Sequence, residues 1–455
     1  MSNQKQNRWA RCIAAGALAL SLAAGTAAAK EVNIQVWVGG SPEQDLYRIY
    51  AIEMAADILS RQAKINGEEL NIKVDGKAWN TWDDFKQAVL LAAESGTAPH
   101  IIVSGHEDIA PWSQAGIIRV AEKYIDFDSW PLNSVFPNLI DVASYEGAIY
   151  AVPQDAESRP FFFWIPHMKA IGYSDADIEA LPERVRNGEY TLQNVLEDAK
   201  KIQDAGLVEP GYGFYPRVAN GPDYWQFYQS FGGEMQDRDS GKLVLDTGAM
   251  ERFYQFFVDA VDRGVTRKNH IGTPWDQWYS EVARGKAGIW HGGTWHYSRY
   301  TGKEQLEDFF GTIQFTLIPA GDDGVGRANT ITHPLMYMIS NRGSEDDAFI
   351  AAELIKIASE PLIQSLHAIN SAHLGISTVQ QSLEFYANDP WASVATERLL
   401  TYANAMPNHT EFGQYWTIMW KWLETAWSGQ ATAKDAVAEA VEEAKNAIGD
   451  SIIIR

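Results

Sequence analysis

The sequence predicts an α/β protein built as two bodies, and three observations point to it. At 455 residues the chain exceeds the size at which a single hydrophobic core stops growing. Residues 32–105 alternate strand and helix periodicity in the order β-α-β-α-β, the pattern of a parallel sheet. A polar, Pro-bounded segment, Pro153-Gln154-Asp155-Ala156-Glu157-Ser158-Arg159-Pro160, then interrupts two apolar runs, and the second, Phe161-Phe162-Phe163-Trp164, must be covered by a core of its own. A hydrophobic content of 46% with 21% charge is that of a packed chain, not a disordered one.

Residues 1–29 read as an export signal. Lys5, Arg8 and Arg11 precede an apolar run over residues 13–24, and Ala27-Ala28-Ala29 offers small residues for cleavage. The run is diluted by Ala and Gly and is shorter than a spanning helix requires, so cleavage near Ala29 and a periplasmic, secreted product are expected. Cys12 is the only cysteine and precedes the run, so the mature chain carries no thiol, disulfide or lipid anchor. Losing three basic residues moves the formal charge from −22 to −25, which excludes a nucleic-acid partner.

The mature chain opens with Val32, Ile34, Val36 and Val38 alternating as a strand, then turns at Gly39-Gly40 into a helix with Ser41 as N-cap and Pro42 at its first position. Leu70, Ile72 and Val74 mark the second strand. The helix "DDFKQAVLLAAESG" follows, with Phe85, Ala88, Val89 and Ala92 on one face, and "HIIVSG" is the third strand. In such sheets ligands lie beyond the carboxyl ends of the strands. Those ends deliver Gly39-Gly40-Ser41, Trp79-Asn80-Thr81-Trp82 and Ser104-Gly105-His106-Glu107. The middle is helical with aromatic punctuation, "QDRDSGKLVLD" is a short hairpin, and "TAKDAVAEAVEEAKNAIG" is an amphipathic C-terminal helix. Asp237 and Asp239 in the hairpin lack the later ligands of a calcium loop and are read as a turn.

Five stretches in order carry a family resemblance: "APHIIVSGHEDIAPWSQAGIIRV", "YEGAIYAVPQDAESRPFFFW", "EVARGKAGIWHGGTWHYS", "IPAGDDGVGRANTITHPLMYMISNR" and "MPNHTEFGQYWTIMWKWLETAWSGQATAKDAVAEAV". Over nearly its whole mature length the chain resembles the extracellular solute-binding proteins of sugar ABC transporters, the maltose-binding-protein-like class. The resemblance implies a two-lobed periplasmic-binding-protein fold, each lobe a mostly parallel sheet flanked by helices, with the sugar clamped between. The N-terminal lobe would comprise residues 30–154 and 319–374, and the C-terminal lobe residues 155–318 and 375–455. Pro153 to Arg159 would be the first crossing, with return crossings near Ile318-Pro319 and His373-Leu374-Gly375. The implied partners are a carbohydrate ligand and the membrane permease subunits of an ABC importer, with the protein itself a monomer.

Polar contacts to sugar hydroxyls would match Ser41, Glu107, Glu157 and Arg159, with Asp155 of the same crossing also facing the ligand, and aromatic platforms would match Trp295 in "GGTW" and Trp416 in "GQYW". A sugar presents an apolar C–H face and a hydroxyl edge, so flat indoles beside fixed charges suit it. Trp79, Trp82 and Trp225, the last after the turn Asn220-Gly221-Pro222, serve either the cleft or lobe packing. Gly292-Gly293 before Trp295 would let a ligand approach the backbone. Departures from the maltose-binding pattern at residues 39–42 and at Ser104 argue against a maltodextrin. A neutral mono- or disaccharide or a glycosylated polyol is the first choice of ligand. Arg159, Arg327 and His333 keep an anionic sugar, a uronate or a sulfonated sugar, as the alternative. Asp155 and Glu157, two apart in an extended segment, also evoke a glycosidase pair, but no H-E-x-x-H, nucleophile elbow or catalytic thiol accompanies them. No catalysis, metal or other cofactor is expected.

Overall fold

The computed structural model describes residues 30–40, 42–322 and 324–455. The export signal expected over residues 1–29, and Ser41, lie outside the described residues. Strand β1 (Lys30–Val38) buries Ile34, Val36 and Val38 on its inward face and is followed by the 24-residue helix α1 (Pro42–Ile65). Strand β2 (Leu70–Ala78) pairs with β1 in parallel along its whole length. Helix α2 (Trp82–Glu94) is capped by Thr81, whose side chain accepts from the Asp84 amide, and buries Phe85, Val89 and Ala92. Strand β3 (Ile101–Gly105) returns parallel to β1, and β4 (Ala151–Pro153) leads out of the lobe.

Residues 154–160, the segment expected as the first crossing, are all buried. Strand β5 (Phe161–Trp164) then enters the second lobe, where its four aromatics are buried. Around it lie α3 (Asp223–Ser230), β6 (Leu243–Leu245), α4 (Thr247–Asp262), β7 (Ile289–His291) and β8 (Ile313–Thr316). The three-stranded sheet here has the order β8-β5-β7, with both pairings antiparallel. This corrects the expectation of a mostly parallel sheet in both lobes. Strand β5 leaves the crossing and β7 comes back to it, with the Gly292 amide donating to Pro160 O and the Thr294 amide to Ser158 O, so the two must oppose.

The chain keeps its contacts with α3 beyond the return crossing expected near Ile318-Pro319. After β8, Ile318 pairs with Asn329, the Gly321 amide donates to Ser230 O, and the Asn329 carboxamide donates to Gln226 O and the Ser230 hydroxyl. Gly321 and Asn329 are therefore held on α3, past the expected boundary at 319. Strand β9 (Thr330–Thr332) is followed by β10 (Leu335–Ile339), which completes the first sheet in the order β2-β1-β3-β10-β4 and runs antiparallel to both neighbours. Helices α5 (Glu345–Ala358) and α6 (Pro361–Ser371) pack on α1. At the third crossing Leu374 exchanges both backbone hydrogen bonds with Ala156, at 3.0 and 2.6 Å. Strand β11 (Ala403–Ala405) pairs with β9, helices α7 (Phe412–Trp427) and α8 (Ala433–Ile448) pack on α4, and β12 (Ile452–Ile454) adds in parallel to β6. Among the described residues no helix is long and apolar enough to cross a membrane.

Candidate ligand cleft

The site forms where strand ends meet the crossings. Leu335 of β10 sits opposite Gly105 of β3, so the residues just beyond, His106 and Glu107 on one strand and His333 on the other, are neighbours by register. Glu107 Oε2 lies 2.7 Å from His333 Nε2, and Lys86 of α2 donates to Glu107 Oε1 and to Asp108 Oδ1, each at 2.8 Å. The other nitrogen of His333 stands 3.7 Å from Glu157 Oε1. Glu157 pairs with Arg159, whose guanidinium also bonds Asp223 Oδ1 at 3.1 Å, and Arg217 meets Asp223 Oδ2 at 3.1 Å. A continuous ionic chain thus runs from the first lobe into the second.

Burial and charge compete along this chain. Burial pushes the Glu157 carboxyl up, and Arg159 only partly opposes it. At Glu107 burial acts the same way but is overcome by His333 and Lys86, which hold it well below the usual carboxylate range. Burial of His333 is in turn outweighed by Glu107, which raises the imidazole. For Asp223 the two arginines win over burial and keep it ionised.

Asp155 occupies a different position. It is 2% exposed, and both its oxygens are engaged: Oδ1 accepts from the Leu335 amide at 3.0 Å, and Oδ2 meets Arg48 at 2.6 Å and His367 at 3.2 Å. It joins α1, α6 and the segments that carry Asp155 and Leu335, and both its oxygens are engaged by protein donors.

The aromatic candidates divide. Trp295 is half-buried, with the Arg159 guanidinium 4.2 Å from its ring centroid and the His373 ring stacked at 6.0 Å. Trp416 is also half-buried, 6.5 Å from the His333 ring, and its indole N–H donates to Asn220 Oδ1 at 2.5 Å. Trp225 is fully buried against Tyr228, Phe412 and Tyr415 and belongs to the second-lobe core. Trp79 packs on Trp37 and Phe85 inside the first lobe, while Trp82, 37% exposed, stands one helical turn before Lys86. The glycines before Trp295 serve the protein itself, because a Cβ on Gly292 would strike His296 and one on Gly293 would strike Trp295.

Comparison with known proteins gives this arrangement a context. Residues 55–361, more than half of the chain, match the family model described as bacterial extracellular solute-binding protein. The chain belongs to that family. No match was found among curated protein sequences. Solved structures similar to this solute-binding protein include maltose-bound MalE3 of T. maritima, with 19% identity over 91% of this chain and 99% of that one and a TM-score of 0.73. The tagatose-bound ABC transporter solute-binding protein of Thermotoga lettingae shares 16% identity over 92% and 100% of the two chains, at a TM-score of 0.73. The GacH receptor of Streptomyces glaucescens, solved unliganded and with acarbose, shares 15% over 92% and 98%, at 0.72. At these identities the likeness is one of fold, and the fold is the two-lobed α/β architecture expected.

Several residues around the candidate cleft of this solute-binding protein had no binding role assigned from sequence. Arg48, Arg217, Asp223, His367 and His373 sit on helices or loops whose local pattern is ordinary, and only tertiary structure turns them inward. Two triads, His106-Glu107-His333 and Asp155-His367-His373, each place three ligand atoms within 4.8 Å of one another. The spacing of 226 residues between Glu107 and His333 gave no sign of the first. Asp237 accepts from the amides of Asp239 and Ser240 and from Arg455, a closed turn.

Proposed function

We propose that this protein captures a neutral mono- or disaccharide, or a glycosylated polyol, in the periplasm and delivers it to the membrane permease subunits of an ABC importer. The observation that carries the reading is the juxtaposition of the Trp295 and Trp416 rings with the Glu107-His333-Glu157-Arg159 chain. Indoles suit the C–H face of a sugar ring, and ionised acceptors and donors suit its hydroxyls. Neutrality is favoured by the charge balance. The carboxylates Glu107, Asp108, Asp155, Glu157 and Asp223 are matched by Lys86, Arg48, Arg159, Arg217 and His333. An anionic ligand would have to displace one of these carboxylates.

The test is a thermal-shift panel of neutral sugars, glycosylated polyols, uronates and sulfonated sugars, with product analysis of each mixture. A receptor is stabilised by its ligand and releases no product. Stabilisation by a uronate or sulfonated sugar alone would select the anionic alternative. Cleavage of a glycoside would make the protein an enzyme.

A further inference from the structure

We propose that His106, Glu107 and His333 form a binding site for Zn2+ on the wall of the cleft. The strand register creates the triad: the His106 amide donates to Pro334 O, which places the end of β3 beside the residues that precede β10. Their three ligand atoms lie within 4.8 Å of one another, so side-chain rotations of about 1 Å bring them to the separations of a tetrahedral zinc site.

Two further features mark a built site. His106 is fully buried and its Nε2–H faces Met406 O at 3.1 Å, which leaves Nδ1, buried and without a hydrogen-bond partner, as its available lone pair. His333 offers Nε2 toward Glu107 while its Nδ1 faces Glu157 Oε1. The second nitrogen of His106 is thus hydrogen-bonded to an acceptor, the support that fixes the tautomer of metal-binding histidines, while that of His333 stands 3.7 Å from the Glu157 carboxylate, beyond hydrogen-bond distance. Glu107 holds Lys86 with Oε1 and turns Oε2 to the triad. Two imidazoles and one carboxylate suit Zn2+, and three protein ligands leave a fourth position for water or an oxygen atom of a cleft ligand.

The second triad does not compete. The Arg48 guanidinium lies 2.6 Å from Asp155 Oδ2 and 3.3 Å from His373 Nε2, so a cation already fills that centre.

Metal-stripped mature protein would be titrated with ZnCl2 by calorimetry and with CoCl2 by visible absorption. One equivalent of Zn2+ and the intense absorption of tetrahedral Co2+ are expected. His106→Gln and His333→Gln should each weaken Zn2+ binding about 10- to 100-fold while the unliganded melting temperature stays near that of the parent. Absence of Zn2+ binding, or binding unchanged in both variants, overturns the site. Should neither variant fold, the cobalt spectrum of the unaltered protein decides, because a weakly absorbing octahedral spectrum overturns it equally.

Discussion

Arg48 Nη2 stands 2.6 Å from Asp155 Oδ2, an ion pair in which the two side chains are 2% and 1% exposed. It fastens the buried face of α1 to the first crossing. Burial would raise the Asp155 carboxyl, but Arg48 and His373 reverse this and hold it well below the usual carboxylate range. Through its other oxygen the same carboxylate holds the Leu335 amide. One side chain thus ties α1, α6 and the start of β10 to the segment 154–160.

Breaking that pair leaves an uncompensated buried charge. Asp155→Asn should cost about 3–5 kcal/mol of stability and lower the unliganded melting temperature. Ligand affinity should change little, since both oxygens are engaged by protein donors. A variant that melts normally and binds no ligand would return Asp155 to the binding surface.

For the aromatic platforms the contrast lies between half-buried and fully buried indoles. Trp295→Ala and Trp416→Ala should weaken ligand binding roughly 10- to 100-fold, as losing about 1–3 kcal/mol of stacking requires. Trp225→Ala should instead cost about 3–5 kcal/mol of folding stability, because its 0% exposed ring leaves a cavity. Unliganded melting and ligand titration of the three variants together separate the roles, and early melting with normal binding in Trp295→Ala would refute its platform role.

Stability should fall with acid before the carboxylates titrate. Burial pushes His270 and His367 down to about 4 and His291 to about 3. From an unfolded value near 6.5 down to about 4, the unfolded chain takes up protons at these three positions that the folded chain refuses. Their stabilisation is complete above about pH 6.5 and is lost as pH falls, at about 1.4 kcal/mol per pH unit for each histidine. Denaturant unfolding followed from pH 7 to pH 4 measures the slope, and a flat profile would contradict it.

Lobe closure has its own signature. Only a closed cleft contacts a ligand from both lobes, so saturating sugar should make the particle more compact in small-angle scattering. An unchanged radius of gyration at saturation would argue against a clamp.

Hydrophobic periodicity by itself determined the β1-α1-β2-α2-β3 unit, and the aromatic run 161–164 announced a second core, because both are local patterns that burial must satisfy. The order of motifs pointed to the family. Tertiary structure decided the rest. The antiparallel second sheet depends on where a distant chain segment comes back, which residues 289–316 do not encode locally. Trp225 suited either the cleft or lobe packing in sequence, and only packing sends it to the core while Trp295 stays half-buried. Arg48 and Asp223 are turned inward because buried charges must find partners, and those partners lie 107 and 64 residues away, at Asp155 and Arg159.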